Sequence, residues 1–116
     1  MVSIITPSYN SEQFIATTIQ SVIDQTHKDW ELILVDDASM DDTYSIISGF
    51  LKTDNRIKLL KQEKNLGTGA ARNLAIKAAQ GNYIAFLDAD DIWKPTKLET
   101  QLKYMKNNQA SICFSS

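Results

Sequence analysis

Apolar positions along this chain switch repeatedly between two spacings. Residues 2–6 form a short β-branched run of buried-strand type, and Pro7, Ser8, Tyr9 and Asn10 end it. Ile15, Ile19, Val22 and Ile23 then recur at helical spacing, predicting a helix that starts at Asn10 with Gln13 as capping partner. Residues 30–35 read as a second strand, closed by Asp36 and Asp37. Ser39 and Asp42 have the spacing of a capping box before a helix that turns Ile47, Phe50 and Leu51 inward. A third strand spans residues 56–60, and a polar stretch leads to Gly67, Thr68 and Gly69. These open a helix with Ala71, Leu74, Ala75 and Ala78 on one face, and Gly81 suits its C-terminal stop. Residues 83–87 form a fourth strand that runs into Asp88, Asp90 and Asp91. Pro95 fits the first turn of a fourth helix, with Leu98, Leu102 and Met105 inside, and residues 110–114 are the last strand candidate.

Strict strand–helix alternation predicts an α/β fold: an open, mainly parallel sheet with right-handed crossovers and helices on both faces. Unbroken apolar pairs such as Ile4-Ile5 and Leu59-Leu60 agree with strands covered on both sides. Such sheets bind ligands outside the carboxyl ends of their strands. Here that rim gathers Pro7 to Asn10, Asp36-Asp37, Gly67 to Gly69 and Asp88 to Asp91.

Bulk properties narrow the ligand. The 116 residues are one domain's worth, and a 43% apolar fraction is ordinary for a globular protein. A net charge of −2 gives no electrostatic case for nucleic acid. The single cysteine, Cys113, lies in an apolar run and reads as a core thiol suited to a reducing cytoplasm. No stretch has the length of a membrane span, and the first residues lack the pattern of a secretion signal.

Asp88-Ala89-Asp90-Asp91 is the sharpest chemical feature. Carboxylates this close repel unless a cation compensates, and Mg²⁺ or Mn²⁺ takes such oxygen ligands together with substrate phosphates. The competing reading is capping of the following helix. Asp36-Asp37 reads either as turn chemistry or as an acceptor for a base N–H or a ribose hydroxyl. Gly67 to Gly69 reads as a phosphate cradle or as simple close packing, and Arg72 as a partner for phosphate, for a rim carboxylate or for water. His27 and the lysines of the last helix read as solvated surface, and Trp30 as core or sheet flank.

Taken together, residues 2–10, Val35-Asp36-Asp37-Ala38-Ser39, Asn65-Leu66-Gly67 with Ala71-Arg72-Asn73, and Phe86-Leu87-Asp88-Ala89-Asp90-Asp91 resemble the GT-A-type, family 2 glycosyltransferases in order and spacing. The resemblance runs through nearly the whole chain. It implies a Rossmann-like GT-A fold and an inverting, metal-dependent transfer from a nucleotide-sugar, UDP-linked by expectation, to a glycan or lipid-linked acceptor in cell-surface polysaccharide synthesis. By position, Thr6, Pro7 and Tyr9 would line the base pocket, Glu12 would approach the ribose and Asp37 would hold the base. Gly67 and Arg72 would serve the donor. Asp88 and Asp90 match a DxD motif in which Asp90 binds Mn²⁺ or Mg²⁺ and Asp88 supports ribose or metal, with Asp91 as neighbour. Ala38 stands where glycine is common.

The family's acceptor half and its catalytic acid have no counterpart up to Ser116. Residues 1–116 are therefore expected to be the donor-binding part of a longer cytoplasmic enzyme, peripheral to the inner face of the membrane through its other part. Two rivals differ in what they require. A sugar-1-phosphate nucleotidyltransferase would carry a Gly-rich basic loop after the first strand, where this chain has Pro7-Ser8-Tyr9-Asn10. A nucleotide-binding fragment without transfer activity would carry the same rim.

Overall fold

The computed structural model describes the backbone of residues 1–108 and 112–114 and the side chains of residues 1–104. Strands β1 (Val2–Ser8), β2 (Trp30–Asp37), β3 (Ile57–Gln62), β4 (Tyr83–Phe86) and β5 (Ile112–Phe114) alternate with helices α1 (Ile15–Ile23), α2 (Thr43–Leu51), α3 (Thr68–Ala78) and α4 (Lys97–Asn108). The sheet is open and parallel throughout, in the order β3-β2-β1-β4-β5. The side chains of Met105 and Cys113, and residues 110–111 of the last predicted strand, lie outside what the structure describes.

Alternation along the strands builds two cores, one on each face. Ile4, Leu32, Leu34, Ala85 and Leu87 pack under Ile15, Ile19 and Val22 of α1, Ile47 of α2 and Leu98 of α4. Ile5, Ile33, Val35 and Phe86 on the other face pack against Ala71 and Ala75 of α3. Each fully buried Ile or Leu contributes about 2 kcal/mol, so the α1 face is a main source of stability. Small alanines let α3 lie close to the sheet, but Ala78 is exposed, because α3 ends there.

The helix starts differ from the sequence reading. Asn10 has φ +49 and does not cap α1; its N–H donates to Ser39 Oγ (2.9 Å) and its Oδ1 accepts from the Met40 N–H (2.8 Å). Ser39 is thereby drawn away from α2, whose first turn is held instead by Asp41 Oδ1, which accepts from the Thr43 N–H and hydroxyl. Local spacing suggested caps, and contacts between the two loops took those side chains. Pro95 lies in a turn ahead of α4 rather than in its first turn. Gly81 is not a helix stop either. A Cβ there would lie 2.6 Å from Ser3 Oγ and 2.7 Å from the Met1 carbonyl, so only glycine lets the α3–β4 loop close onto β1.

At the opposite edge from the acidic rim, Glu31 is buried on β2. Its carboxylate accepts from Ser3 Oγ (2.5 Å), Lys58 Nζ (2.6 Å) and the Gln80 N–H (2.6 Å), which joins three strands and the α3–β4 loop.

Candidate functional site

The winding of the sheet reverses beside β1: the chain steps outward to β2 and β3, then returns to place β4 on the other side of β1. Loops leaving two strands at such a reversal diverge and leave a crevice. A cleft of about 330 Å³ lies there, walled by Pro7 near the end of β1, by Tyr9 and Phe14 after it, by Asp88 and Asp90 after β4, and by Thr68 at the start of α3. Tyr9 and Phe14 are exposed aromatic surfaces in this cleft, facing a wall of opposite, acidic character.

Carboxylate oxygens of Asp88, Asp90 and Asp91 lie within 4.8 Å of one another. The Asp91 N–H donates to the Asp88 carbonyl (3.1 Å), closing a turn that brings the acids together. Burial, then the charges of Asp88 and Asp90, push the Asp91 carboxyl above its ordinary range. A hard divalent cation would relieve that repulsion, and the all-oxygen donor set fits Mg²⁺ or Mn²⁺. Arg72 supplies the counter-charge present in the chain itself. One terminal nitrogen lies 3.5 Å from Asp88 Oδ1, and its guanidinium sits 5.3 Å from the Phe86 ring centroid. Its Nε is buried with no hydrogen-bond partner among the described residues. Arg72 thus pairs with a rim carboxylate.

The other predicted residues are placed as follows. Asp37, nearly fully buried, accepts from Gln62 Nε2 (2.8 Å) and the Leu66 N–H (2.8 Å) on one oxygen and from the Gly67 N–H (2.9 Å) on the other. It ties the β3–α3 loop to the end of β2, and Gly67 meets it with φ +93, a conformation that favours glycine. Gly67 thus gives its N–H to a carboxylate, and neither it nor Asp37 lines the cleft. Glu12 is exposed, with Oε2 accepting from the Asp42 N–H (3.3 Å). Thr6 is fully buried, its hydroxyl without a partner among the described residues, and it lies outside the lining of the cleft. The structure therefore unites Pro7, Tyr9, Asp88 and Asp90 in one cavity, sets Arg72 and Asp91 against its acids, and puts Asp37 and Gly67 in a neighbouring latch.

Sequence reasoning missed a polar stripe on α1. Thr18 and Ser21 are buried beside its apolar face, Gln25 is buried two residues past its end, and all three hydrogen-bond the segment after β4. The available signal was small polar residues recurring on the inner side of an otherwise apolar helix. A second missed feature is the set of bonds joining residues 10–12 to 39–43, including Ser11 N–H to Thr43 Oγ1 (2.8 Å) and Glu12 N–H to Asp41 Oδ2 (3.3 Å).

An open parallel sheet with an acidic cluster at its switch point is the architecture of GT-A glycosyltransferases, and the comparisons agree. The profile described as Glycosyl transferase family 2 matches residues 3–116, and this chain belongs to that family. It is 48% identical over 115 residues to TuaG of Bacillus subtilis (strain 168), named as a glycosyltransferase of teichuronic acid biosynthesis, covering 99% of this chain and 46% of TuaG. It is 47% identical over 116 residues to WfgD of Escherichia coli, a UDP-Glc:alpha-D-GlcNAc-diphosphoundecaprenol beta-1,3-glucosyltransferase, covering 100% of this chain and 45% of WfgD. Among solved structures, TarS of S. aureus in complex with UDP matches with a TM-score of 0.85 and 31% identity, over 93% of this chain and 32% of that one. The mannosyltransferase PcManGT of Pyrobaculum calidifontis, in complex with GDP-Man and Mn²⁺, matches with a TM-score of 0.85 and 27% identity, over 90% of this chain and 32% of that one. The chain spans less than half the length of these two curated relatives. Family membership removes the nucleotidyltransferase reading. Among the described residues no helix is long and apolar enough to cross a membrane.

Proposed function

We propose that residues 1–116 are the donor-binding part of an inverting, metal-dependent glycosyltransferase that uses a nucleoside diphosphate sugar, UDP-linked in the first instance. The observation that carries this reading is the cleft at the β1/β4 switch point, with Tyr9 on one wall and Asp88 and Asp90 on the other. Pro7 and Tyr9 cover the base, and Thr6 supports them from beneath. Asp37 accepts one bond from Gln62 of β3 and two from the β3–α3 loop, leaving about one of the four positions available to a carboxylate for a base N–H. Glu12 keeps one oxygen for the ribose. Asp90, with Asp88 and Asp91, would hold Mn²⁺ or Mg²⁺, which when bound neutralises charge on the leaving diphosphate. Arg72 restrains Asp88 and offers its second face to phosphate. Gly67 shapes the entry to α3.

The acceptor is a glycan or a lipid-linked glycan in cell-surface polysaccharide synthesis, as supported by the names of TuaG and WfgD, and the enzyme works at the cytoplasmic side of the membrane as a peripheral protein. The base that deprotonates the acceptor hydroxyl belongs to a part of the enzyme outside these residues. On that assignment the chain alone binds donor without transferring sugar.

Titration calorimetry with UDP, with and without Mn²⁺, tests the proposal. Mn²⁺ should tighten UDP binding, and Asp90→Ala should abolish the tightening, a loss of about tenfold or more. Equal UDP affinity in Asp90→Ala and the unaltered chain with Mn²⁺ present would remove the metal-bridge role. No UDP binding under any condition would remove the donor site.

A further inference from the structure

We infer that Thr18, in the middle of α1, is the positioning residue that sets the geometry of the acidic turn; this rests on the metal-site reading above. Thr18 is 1% exposed, and its hydroxyl donates to the Ala89 carbonyl at 2.8 Å. Ala89 is the residue between Asp88 and Asp90. Its carbonyl shares a rigid peptide plane with the N–H of Asp90, so holding that oxygen fixes the direction in which Asp90 leaves the backbone.

The surrounding segment needs such a hold. Between β4 and α4, residues 87–96 form no helix or strand. A backbone without ladder bonds keeps its shape only where outside partners fix it. Leu87 N–H still reaches the Ile5 carbonyl (3.0 Å), and the Asp88–Asp91 turn closes on itself (3.1 Å). Beyond these, α1 and the residues just after it supply anchors, Thr26 N–H to the Pro95 carbonyl (2.9 Å) among them. Ser21 Oγ accepts from the Trp93 N–H (3.2 Å) and donates to the Thr18 carbonyl (2.7 Å). Gln25, fully buried, donates to the Lys94 carbonyl (2.7 Å) and accepts from the Leu98 N–H (3.0 Å). Thr18 and Ser21 lie one turn apart on α1, and Gln25 follows two residues past its end, held to it by donating to the Ser21 carbonyl (3.1 Å), so the helix and its C-terminal exit grip the whole segment. Of the three, Thr18 is the one that touches the acidic turn itself.

The division of labour separates positioning from stability. Thr18→Val keeps shape and removes the donor, so the acids lose their fixed spacing. Gln25→Met removes the downstream anchors and leaves the Ala89 contact intact. Loss of an outer-shell partner of a metal site costs about tenfold to hundredfold in metal affinity. The measurement is binding of Mn²⁺ alone to the 116-residue chain, followed by electron paramagnetic resonance, and then UDP affinity with and without Mn²⁺. Thr18→Val should weaken Mn²⁺ about tenfold, Thr18→Ser should restore it, and UDP affinity without metal should not change. Gln25→Met should lower the melting temperature yet leave Mn²⁺ affinity within about twofold. If circular dichroism finds Thr18→Val unfolded, Thr18→Ala takes its place, since it introduces no new atoms. Unchanged Mn²⁺ affinity in the Thr18 variants, or an equal loss in Gln25→Met, overturns the inference while the donor site stands. Absence of Mn²⁺ binding in the unaltered chain overturns the metal site and this inference together.

Discussion

Replacing Glu31 should destabilise the fold by an amount that depends on what the new side chain can still accept. Three donors converge on its carboxylate: the Ser3 hydroxyl, the Lys58 ammonium and the Gln80 N–H. Lys58 is 41% exposed, so it can turn to water, and its ion pair contributes little net energy, about 0–1 kcal/mol. The other two donors sit deeper. In Glu31→Leu both lose their acceptor at about 1–3 kcal/mol each, offset by about 1–2 kcal/mol from burying the leucine, for a net loss of about 3 kcal/mol. Glu31→Gln keeps one carbonyl oxygen for Ser3 and Gln80 and should lose only about 1–2 kcal/mol.

The pH dependence gives a second, independent handle. Burial pushes the Glu31 carboxyl up, but the hydrogen bonds from Lys58, Ser3 and the Gln80 N–H, with the Lys58 charge, outweigh it and hold the group below its ordinary value. A carboxyl lowered by folding stabilises the fold fully above its unfolded pKa, and that share is lost as pH falls through the lower folded value. Urea unfolding of the unaltered chain and of Glu31→Gln should therefore show a gap at about pH 7 that narrows on acidification to about pH 3. A gap of constant size across that range, or a Glu31→Leu cost below about 1 kcal/mol, would refute the reasoning.

Gly81→Ala should lower stability by about 3 kcal/mol, measured by the same unfolding assay, because two of the three atoms its Cβ would meet belong to backbone that cannot yield. Ala38 has φ +60, so Ala38→Gly should raise stability by about 0.5–1 kcal/mol; a loss would show that the loop imposes no strain. Asp91→Asn should raise the melting temperature by about 2 °C at neutral pH and not in acid, since the carboxyl pushed up by burial and by Asp88 and Asp90 destabilises the fold only when ionised. The same substitution should weaken Mn²⁺ binding, so stability and affinity should move in opposite directions.

Element type and order were legible in the sequence because each strand and helix carries its own periodicity. Buried runs such as Ile4-Ile5 and Leu32 to Val35 can serve only a sheet covered on both faces. Asp88, Asp90 and Asp91 were legible as a cluster because they are neighbours in the chain and need no tertiary contact to meet. Long-range partners were not legible. Asn10 and Ser39 have the residue types of helix caps, and only the meeting of their two loops turns them toward each other. Asp37 carries no mark in the sequence that tells a latch from a ligand acceptor, since the choice depends on where the amides of Leu66 and Gly67 arrive. Thr18 was hidden because its partner is a backbone carbonyl 71 residues away, which any residue could have supplied.

The register between β1 and β4 pairs Ile5 with Phe86 and Ile4 with Ala85, which sends Leu87 into the layer beneath α1. Sliding β4 by a single position would exchange its two faces, driving Asp88 toward the hydrocarbon beneath α1 and moving Leu87 to the α3 side of the sheet. Greasy side chains with no chemistry of their own therefore act as the ruler for the carboxylates: what forbids the slip is the cost of burying an acid among isoleucines. A mutation that softened this layer would be felt first as blurred spacing at the mouth of the cleft, before any loss of fold.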